Sequence, residues 1–166
     1  MNEQTAVNNY FQNRVDLTDD EVLQEALRAF DTFVANLRGH GVRVIVLQDD
    51  DNTDTPDAIY PNNWVSLHAD RSMVLYPMFA ENRRLERRAD LSDHLKAEGY
   101  DVQRVVDMSC WESSGRFLEG TGSMIFDRTN RIAYCALSPR ADEQLLKEFC
   151  DTMGFHPVAF TAMQSV

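Results

Sequence analysis

The chain has little thiol chemistry to offer: Cys110, Cys135 and Cys150 are its only cysteines, and no two form a CxxC pair. An odd count without close spacing excludes a disulfide framework and a zinc knuckle. Positive charge is also short, with 16 Lys and Arg against 27 Asp and Glu and a net charge of -11. Phosphate backbones select basic surfaces, so no nucleic-acid partner is expected. No apolar run approaches membrane-spanning length, so no membrane partner is expected either. The start, MNEQTAVNNYFQ, lacks a basic region followed by an apolar one. It therefore reads as no signal peptide, and the cytoplasm is the expected location. What is present suits a folded protein: 43% hydrophobic residues, 10% aromatic residues and 166 positions in all. That length fits one domain, 1–166, with a core of ordinary size, and no linker or low-complexity stretch divides it.

The organisation emerges when candidate helices are aligned by their ends. TDDEVLQEALRAFDTFVANLRG (18–39) reads as a helix, with Thr18 as N-cap and Glu21 three residues on. It stops at Gly39 and Gly41, and VRVIVL (42–47) follows as a buried strand. A second helix through RRLERRADLSDHLKAEG (83–99) stops at Gly99 before YDVQRVV, and a third, RADEQLLKEFCDTMG (140–154), stops at Gly154 before FHPVAF. The stops Gly41, Gly99 and Gly154 lie 58 and 55 residues apart. Two candidate hairpins, WVSLHADRSMVLYPM (64–78) and SMIFDRTNRIAYCAL (123–137), each place a turn at Asp-Arg and a tyrosine on the second strand. Asp70 and Asp127 are 57 residues apart, and Tyr76 and Tyr134 are 58. Such a period marks a repeated strand-strand-helix-strand unit. The alternative is three similar α/β units without symmetry, as in a doubly wound sheet.

Several motifs invite chemistry and are set beside plainer readings. In DDDNTD (49–54), Asp50, Asn52 and Asp54 fit the first ligand positions of an EF-hand, but Thr55 and Pro61 stand where Gly and Glu are needed. A solvated acidic loop is the better reading. GRFLEGTG (115–122) has the glycines of a phosphate loop but lacks its Lys and Ser/Thr. RRLERR (83–88) reads as a solvated helix face, and His68 with Asp70 as a surface pair beside a turn. Cys135 and Cys150 sit in apolar patterns and read as core. Cys110 lies near Trp111 and Glu112 at a strand end, where a nucleophilic role is the minor reading. Glu119 in FLEGTGSM is a lone carboxylate on an apolar strand against two glycines, which let a ligand or another backbone come close. Burying it requires a cationic or hydrogen-bonding partner, so structural and functional readings both stand. DAIYPNNW (57–64) concentrates Asp57, Asn62, Asn63 and Trp64 where a turn needs only backbone conformers.

DAIYPNNWVS, LYPMFAENRRLER, FLEGTGSMIFDR and AYCALSPR, in this order, resemble the arginine deiminase and amidinotransferase (pentein) superfamily, nearest its citrulline-hydrolase, amidinotransferase-like branch. The resemblance implies an α/β propeller of five ββαβ modules, of which this chain holds about three. It also implies attack by a cysteine thiolate on the carbon of a guanidino or ureido group, with a histidine as acid/base and no cofactor. Carried over by position, Asp57, Asn62 and Asn63 match the substrate-binding loop, and Glu119 matches a catalytic carboxylate. By the same resemblance the chain stops at FTAMQSV, short of the histidine, and begins after the family's first strand. None of His40, His68, His94 or His156, and none of the three cysteines, falls in a matching motif.

The expectation is thus a carbon–nitrogen hydrolase of a small ureido or guanidino substrate, inactive as this chain alone. Citrulline is favoured over arginine, because a carboxamide can donate to a ureido oxygen that a carboxylate would repel. The alternative is a non-catalytic module that self-associates, since an open arc of modules leaves strands unpaired and a homo-oligomer would cover them. The pentein-fold ribosome anti-association factors form a third class, disfavoured by the negative charge.

Overall fold

A computed structural model describes residues 2–6, 17–49 and 53–163. Asp50 and Asn52 of the calcium-like spacing lie outside that range. A single helical turn, α1 (Glu3–Ala6), precedes the long helix α2 (Asp19–Gly39). Helix α2 starts as expected. The Thr18 hydroxyl accepts from the Glu21 N–H at 3.3 Å, and the Glu21 carboxylate accepts from the Thr18 N–H at 2.9 Å. That backbone bond, with a second from the Thr18 hydroxyl to the same oxygen at 2.9 Å, holds the Glu21 carboxyl below the usual carboxylate range. The strand expected at 42–47 does not form: a strand needs a ladder partner, and among the described residues this segment has none.

Two modules of identical topology follow. The first contains β1 (Val65–Leu67), β2 (Ser72–Leu75), α3 (Glu81–Arg84), α4 (Leu91–Ala97) and β3 (Arg104–Asp107). The second contains α5 (Gly120–Ser123), β4 (Met124–Asp127), β5 (Ile132–Ala136), α6 (Glu143–Met153) and β6 (His156–Phe160). In each, two antiparallel strands are joined by a parallel third, giving sheets ordered β1-β2-β3 and β4-β5-β6. Two separate three-stranded sheets remove the doubly wound alternative. They also sharpen the repeat. Val74 pairs with Ser66 and Val106, as Tyr134 pairs with Ile125 and Val158. Tyr76 and Tyr134 are therefore not equivalent; Tyr134 stands where Val74 does, 60 residues earlier. The equivalent turn residues are Arg71 and Arg131, which among the described residues are the two non-glycines with positive φ, at 64° and 58°.

Helix α6 shows why its sequence folds. Asp142 Oδ1 accepts from the N–H groups of Gln144 and Leu145 at 2.8 and 2.9 Å, satisfying donors that the first turn leaves over. Gly154 ends it in the left-handed region at φ 69°. Leu145, Leu146, Phe149, Cys150 and Met153 line one face and fill the main core with Val74, Tyr76, Leu118 and Met124. Phe149 lies against Phe126, Tyr76 and Phe155 at ring-centroid distances of 5.5, 5.8 and 5.9 Å. Burial pushes the thiols of Cys135 and Cys150 up to about 11, in keeping with core cysteines. A smaller core of Trp64, Met73, Met78, Leu91 and Leu95 sits under module one.

The second expected helix is interrupted between Arg84 and Leu91. RRLERR is not a solvated face: Arg83 and Glu86 are buried, and neighbouring arginines turn inward to backbone carbonyls. His68 is not half of a surface pair. Its ring is half-buried beside Phe126, Phe149 and Phe155, while exposed Asp70 accepts from the Ser72 N–H at 3.0 Å.

Candidate functional site

The four residues singled out in the sequence do not all meet. Glu119 is 1% exposed and stands at the start of α5, not on a strand; the neighbouring Leu118 makes an isolated bridge to Ala141. Its Oε1 accepts from the Phe79 N–H at 3.0 Å. Its Oε2 accepts from Arg140, Nη2 at 2.5 Å and Nε at 2.8 Å, and from Asn63 Nδ2 at 3.3 Å. A buried carboxylate with a guanidinium and two further donors avoids the desolvation penalty of an unpaired charge.

Asn63 is buried, while Asn62 is exposed and donates from Nδ2 to Thr121 Oγ1 at 3.1 Å. The two glycines explain how the 57–64 loop comes so close. A Cβ on Gly120 would lie 2.4 Å from the Asn62 carbonyl oxygen, and one on Gly122 would lie 2.5 Å from Asn63 Nδ2. What approaches the glycines is thus another backbone and its carboxamide, one of the two occupants that glycine there allows.

Asp57 is turned elsewhere. Its Oδ2 accepts from Asn2 Nδ2 at 2.7 Å and from Thr5 Oγ1 at 3.1 Å, which ties α1 to the loop. Asn2 and Asn82 exchange side-chain hydrogen bonds at 2.9 and 3.4 Å, and Gln4 Oε1 accepts from the Asn82 N–H. Among the described residues, no hydrogen bond joins Asp57 to Asn62, Asn63 or Glu119 through its side chain.

Arginines missed in the sequence hold this region together. Buried Arg83 grips Glu86 at both oxygens, 2.8 and 2.9 Å, and donates to the carbonyls of Asp57 and Tyr60 at 3.3 and 3.1 Å. Burial moves the Glu86 carboxyl upward, against the opposing pull of Arg83. Arg84 donates to the carbonyls of Met78 and Phe79 at 2.9 and 3.0 Å. Glu112 accepts from the Met78 N–H at 2.8 Å and from both terminal nitrogens of Arg87 at 2.5 and 2.8 Å. Arginine density in ENRRLERR was the available signal, since a fork of donors suits paired carbonyls and carboxylates. Arg140 lies in AYCALSPR, where nothing in the local pattern marks it.

No cysteine or histidine is hydrogen-bonded to Glu119, Asp57, Asn62 or Asn63 among the described residues. Those residues also contain no group of three or more His, Cys, Asp or Glu that could hold a metal ion. No described helix is long and apolar enough to cross a membrane. An open depression of about 270 Å³ lies elsewhere, lined by Ile45, Leu47, Arg88 and His94.

Residues 1–166 match, over their whole length, the family described as eukaryotic N,N-dimethylarginine dimethylhydrolase. The chain belongs to that family. Its fold is the pentein fold of similar solved structures. The N-terminal domain of ArgZ, an arginine dihydrolase from the ornithine–ammonia cycle in cyanobacteria, is 16% identical with a TM-score of 0.62, covering 85% of this chain and 48% of that one. A dimethylarginine dimethylaminohydrolase adduct with S-methyl-L-thiocitrulline is 18% identical with a TM-score of 0.62, covering 86% and 52%. AgrE with ornithine and NAD+ is 16% identical with a TM-score of 0.65, covering 85% and 19%. This family member therefore spans about half the length of the first two structures. No curated protein matches it.

Proposed function

We propose that this chain carries the substrate-gripping part of a carbon–nitrogen hydrolase acting on a guanidino head group, with an N-methylated arginine first in order. The supporting observation is Glu119, a buried carboxylate that already holds a planar guanidinium, with Nε and Nη2 of Arg140 on one oxygen. A guanidino substrate presents the same donors and would take the place of Arg140. Asn62 and Asn63 hold the loop against the glycine turn, and Asp57 anchors that loop to α1.

Because both carboxamides are engaged, with Thr121 and with Glu119, they no longer argue for a ureido oxygen. Citrulline is accordingly the second substrate to test. In the chemistry implied by the family resemblance, a thiolate forms a bond to the guanidino carbon and the C–N bond to the leaving nitrogen breaks. The amine departs with a proton, and water then releases a ureido product and the free thiol. Cys135 and Cys150, buried with raised pKa values, are unsuited to the thiolate role, and among the described residues no histidine is hydrogen-bonded to Glu119. The chain by itself is therefore expected to bind without turnover.

A titration of backbone amide signals tests this. Dimethylarginine should shift the Phe79 and Asn63 amides, arginine less and citrulline least, with binding at least tenfold weaker in Glu119→Gln. No shift for any of the three at millimolar concentration would reject the reading. Dimethylamine release that is lost in Cys110→Ala would place the nucleophile at Cys110 and reject the binding-only expectation. A second reading rests on the same carboxylate: its complement of donors also suits a structural ion pair in a non-catalytic module. That reading predicts no ligand-dependent shift.

A further inference from the structure

Cations are scarce in this chain, and most arginines are spent on carboxylates. Among the described residues nine arginines are ion-paired, from Arg28 with Glu25 to Arg140 with Glu119. Arg128 and Arg131, at the turn between β4 and β5, have no carboxylate partner among those residues, although the chain holds 27 Asp and Glu. The acids of the two hairpin turns are already engaged. Asp127 accepts from the N–H and the side-chain amide of Asn130 at 2.9 and 2.7 Å, and Asp70 accepts from the Ser72 N–H.

Both guanidiniums are fixed by other means. Arg131 donates from Nε to the Gly154 carbonyl at 3.0 Å and from Nη2 to that of Met153, and its central carbon lies 4.2 Å from the centre of the Phe155 ring. Arg128 lies over Phe126 at 5.4 Å and brings Nη1 to 3.5 Å from Nδ1 of His68. Phe126 and Phe155 are 5.4 Å apart and both flank the His68 ring, at 5.9 and 6.2 Å, so the three side chains share one aromatic floor. The imidazole is held from its other side. Nε2 lies 2.8 Å from Ser66 Oγ, which is 2.7 Å from Tyr76 Oη, and both hydroxyl residues are buried. An arginine N–H facing Nδ1 makes that nitrogen the acceptor, so Nε2 donates to Ser66. Burial first, then Arg128, lowers the His68 pKa to about 4; Arg131 adds to the effect and Asp70 opposes it. Two guanidiniums from module two and a protonatable nitrogen from module one thus meet with no carboxylate among them.

We infer that Arg128, Arg131 and His68 form a binding site for a tetrahedral oxyanion, a phosphate group, across the junction of the two modules. Guanidinium forks suit its oxygens, and a proton taken up at Nδ1 supplies a further donor. Glu119 precedes β4 and Arg128 follows it, so this site lies at the other end of that strand. It goes beyond the proposed activity and stands without it. Free phosphate and a phosphate monoester offer the same oxygens, and the test separates them.

That test follows the His68 ring and the Nε–H signals of Arg128 and Arg131 by NMR on the full chain. Inorganic phosphate at neutral pH should shift all three at millimolar concentration, against sodium chloride of equal ionic strength as control. A bound anion favours the imidazolium. In sulfate, which keeps both charges throughout, the His68 midpoint should therefore rise by about one unit, a tenfold linkage. Arg128→Gln, at an exposed position and with native circular dichroism, should weaken phosphate binding at least tenfold. Arg131→Gln should do the same; if the loss of its carbonyl contacts unfolds it, Arg128→Gln decides alone. Glycerol phosphate binding more tightly than phosphate names an ester as the ligand, and binding no tighter names the free ion. Signals that move equally in chloride overturn the inference. So does a midpoint unmoved by sulfate, phosphate binding retained in Arg128→Gln, or acetate binding as well as phosphate.

Discussion

Modules one and two share strand order, register and crossover, yet they differ in the helix that joins their second and third strands. In module two that helix runs unbroken for 11 residues, capped by Asp142 and stopped by Gly154, and its buried face only packs. In module one it is split between α3 and α4, and the arginines in and around the gap reach the 57–64 loop, the 76–79 segment and Glu112. A regular helix satisfies its own backbone and presents one face. An interrupted one frees side chains to satisfy the backbone of something else. Module two is held chiefly by apolar packing, module one by charge and directed hydrogen bonds.

The largest effect expected from that contrast follows Arg83→Ala. It strands Glu86 in a buried position and frees two carbonyls, so unfolding in urea should show a loss of about 3–5 kcal/mol. Arg83→Lys should recover only part of it, because a point charge cannot span the paired oxygens. A loss below about 1 kcal/mol would break the claim that charge organises module one. Next come matched cavities in the two cores. Leu146→Ala, in the fully buried face of α6, should lose about 3–5 kcal/mol, and Leu95→Ala under module one about 2–3 kcal/mol. Equal losses would erase the distinction between a deep core and a shallow one.

The smallest effect concerns the junction. His68 lies between the modules, with Nε2 2.8 Å from Ser66 Oγ and Nδ1 3.5 Å from Arg128. Burial first, then the charge of Arg128, lowers its pKa from 6.5 to about 4. A base depressed in the folded state binds its proton more readily when unfolded, so stability falls as pH drops from about 6.5 toward 4. Allowing for the ring's partial exposure, the loss should be about 1–2 kcal/mol. It should be absent from the same window in His68→Gln, read by urea unfolding at pH 7 and pH 4.5. A pH dependence identical in both proteins would remove His68 from the account.

Much of this was legible in the residues, for physical reasons that can be named. Thr18 with Glu21, and Asp142 with Gly154, are local signals, and the helices they bound begin and end as their chemistry dictates. The hairpins were legible from alternation around turn residues. VRVIVL was not, because an apolar run states a wish for burial and says nothing of whether a ladder partner exists. The site was half legible. Asn63 and Glu119, 56 residues apart, do meet, and the glycines beside Glu119 forecast the close approach without saying of what. Asp57 goes to α1 instead, and Arg83 and Arg140 were invisible because a charged side chain reads as solvated until its buried partner is known.

The left-handed arginines at the ends of the two hairpins have one more consequence. The carbonyl of Arg71 accepts from the Gln103 N–H at 3.0 Å, and that of Arg131 from the His156 N–H at 2.7 Å. Each receives the first rung of a parallel strand that arrives 32 or 25 residues later in the chain. A hairpin closes within microseconds, long before so distant a segment can search out its place. The bend of one turn residue thus works as a primer, fixing in advance the rung at which the late strand zips. A slip by one rung would turn every side chain of that strand to the wrong face.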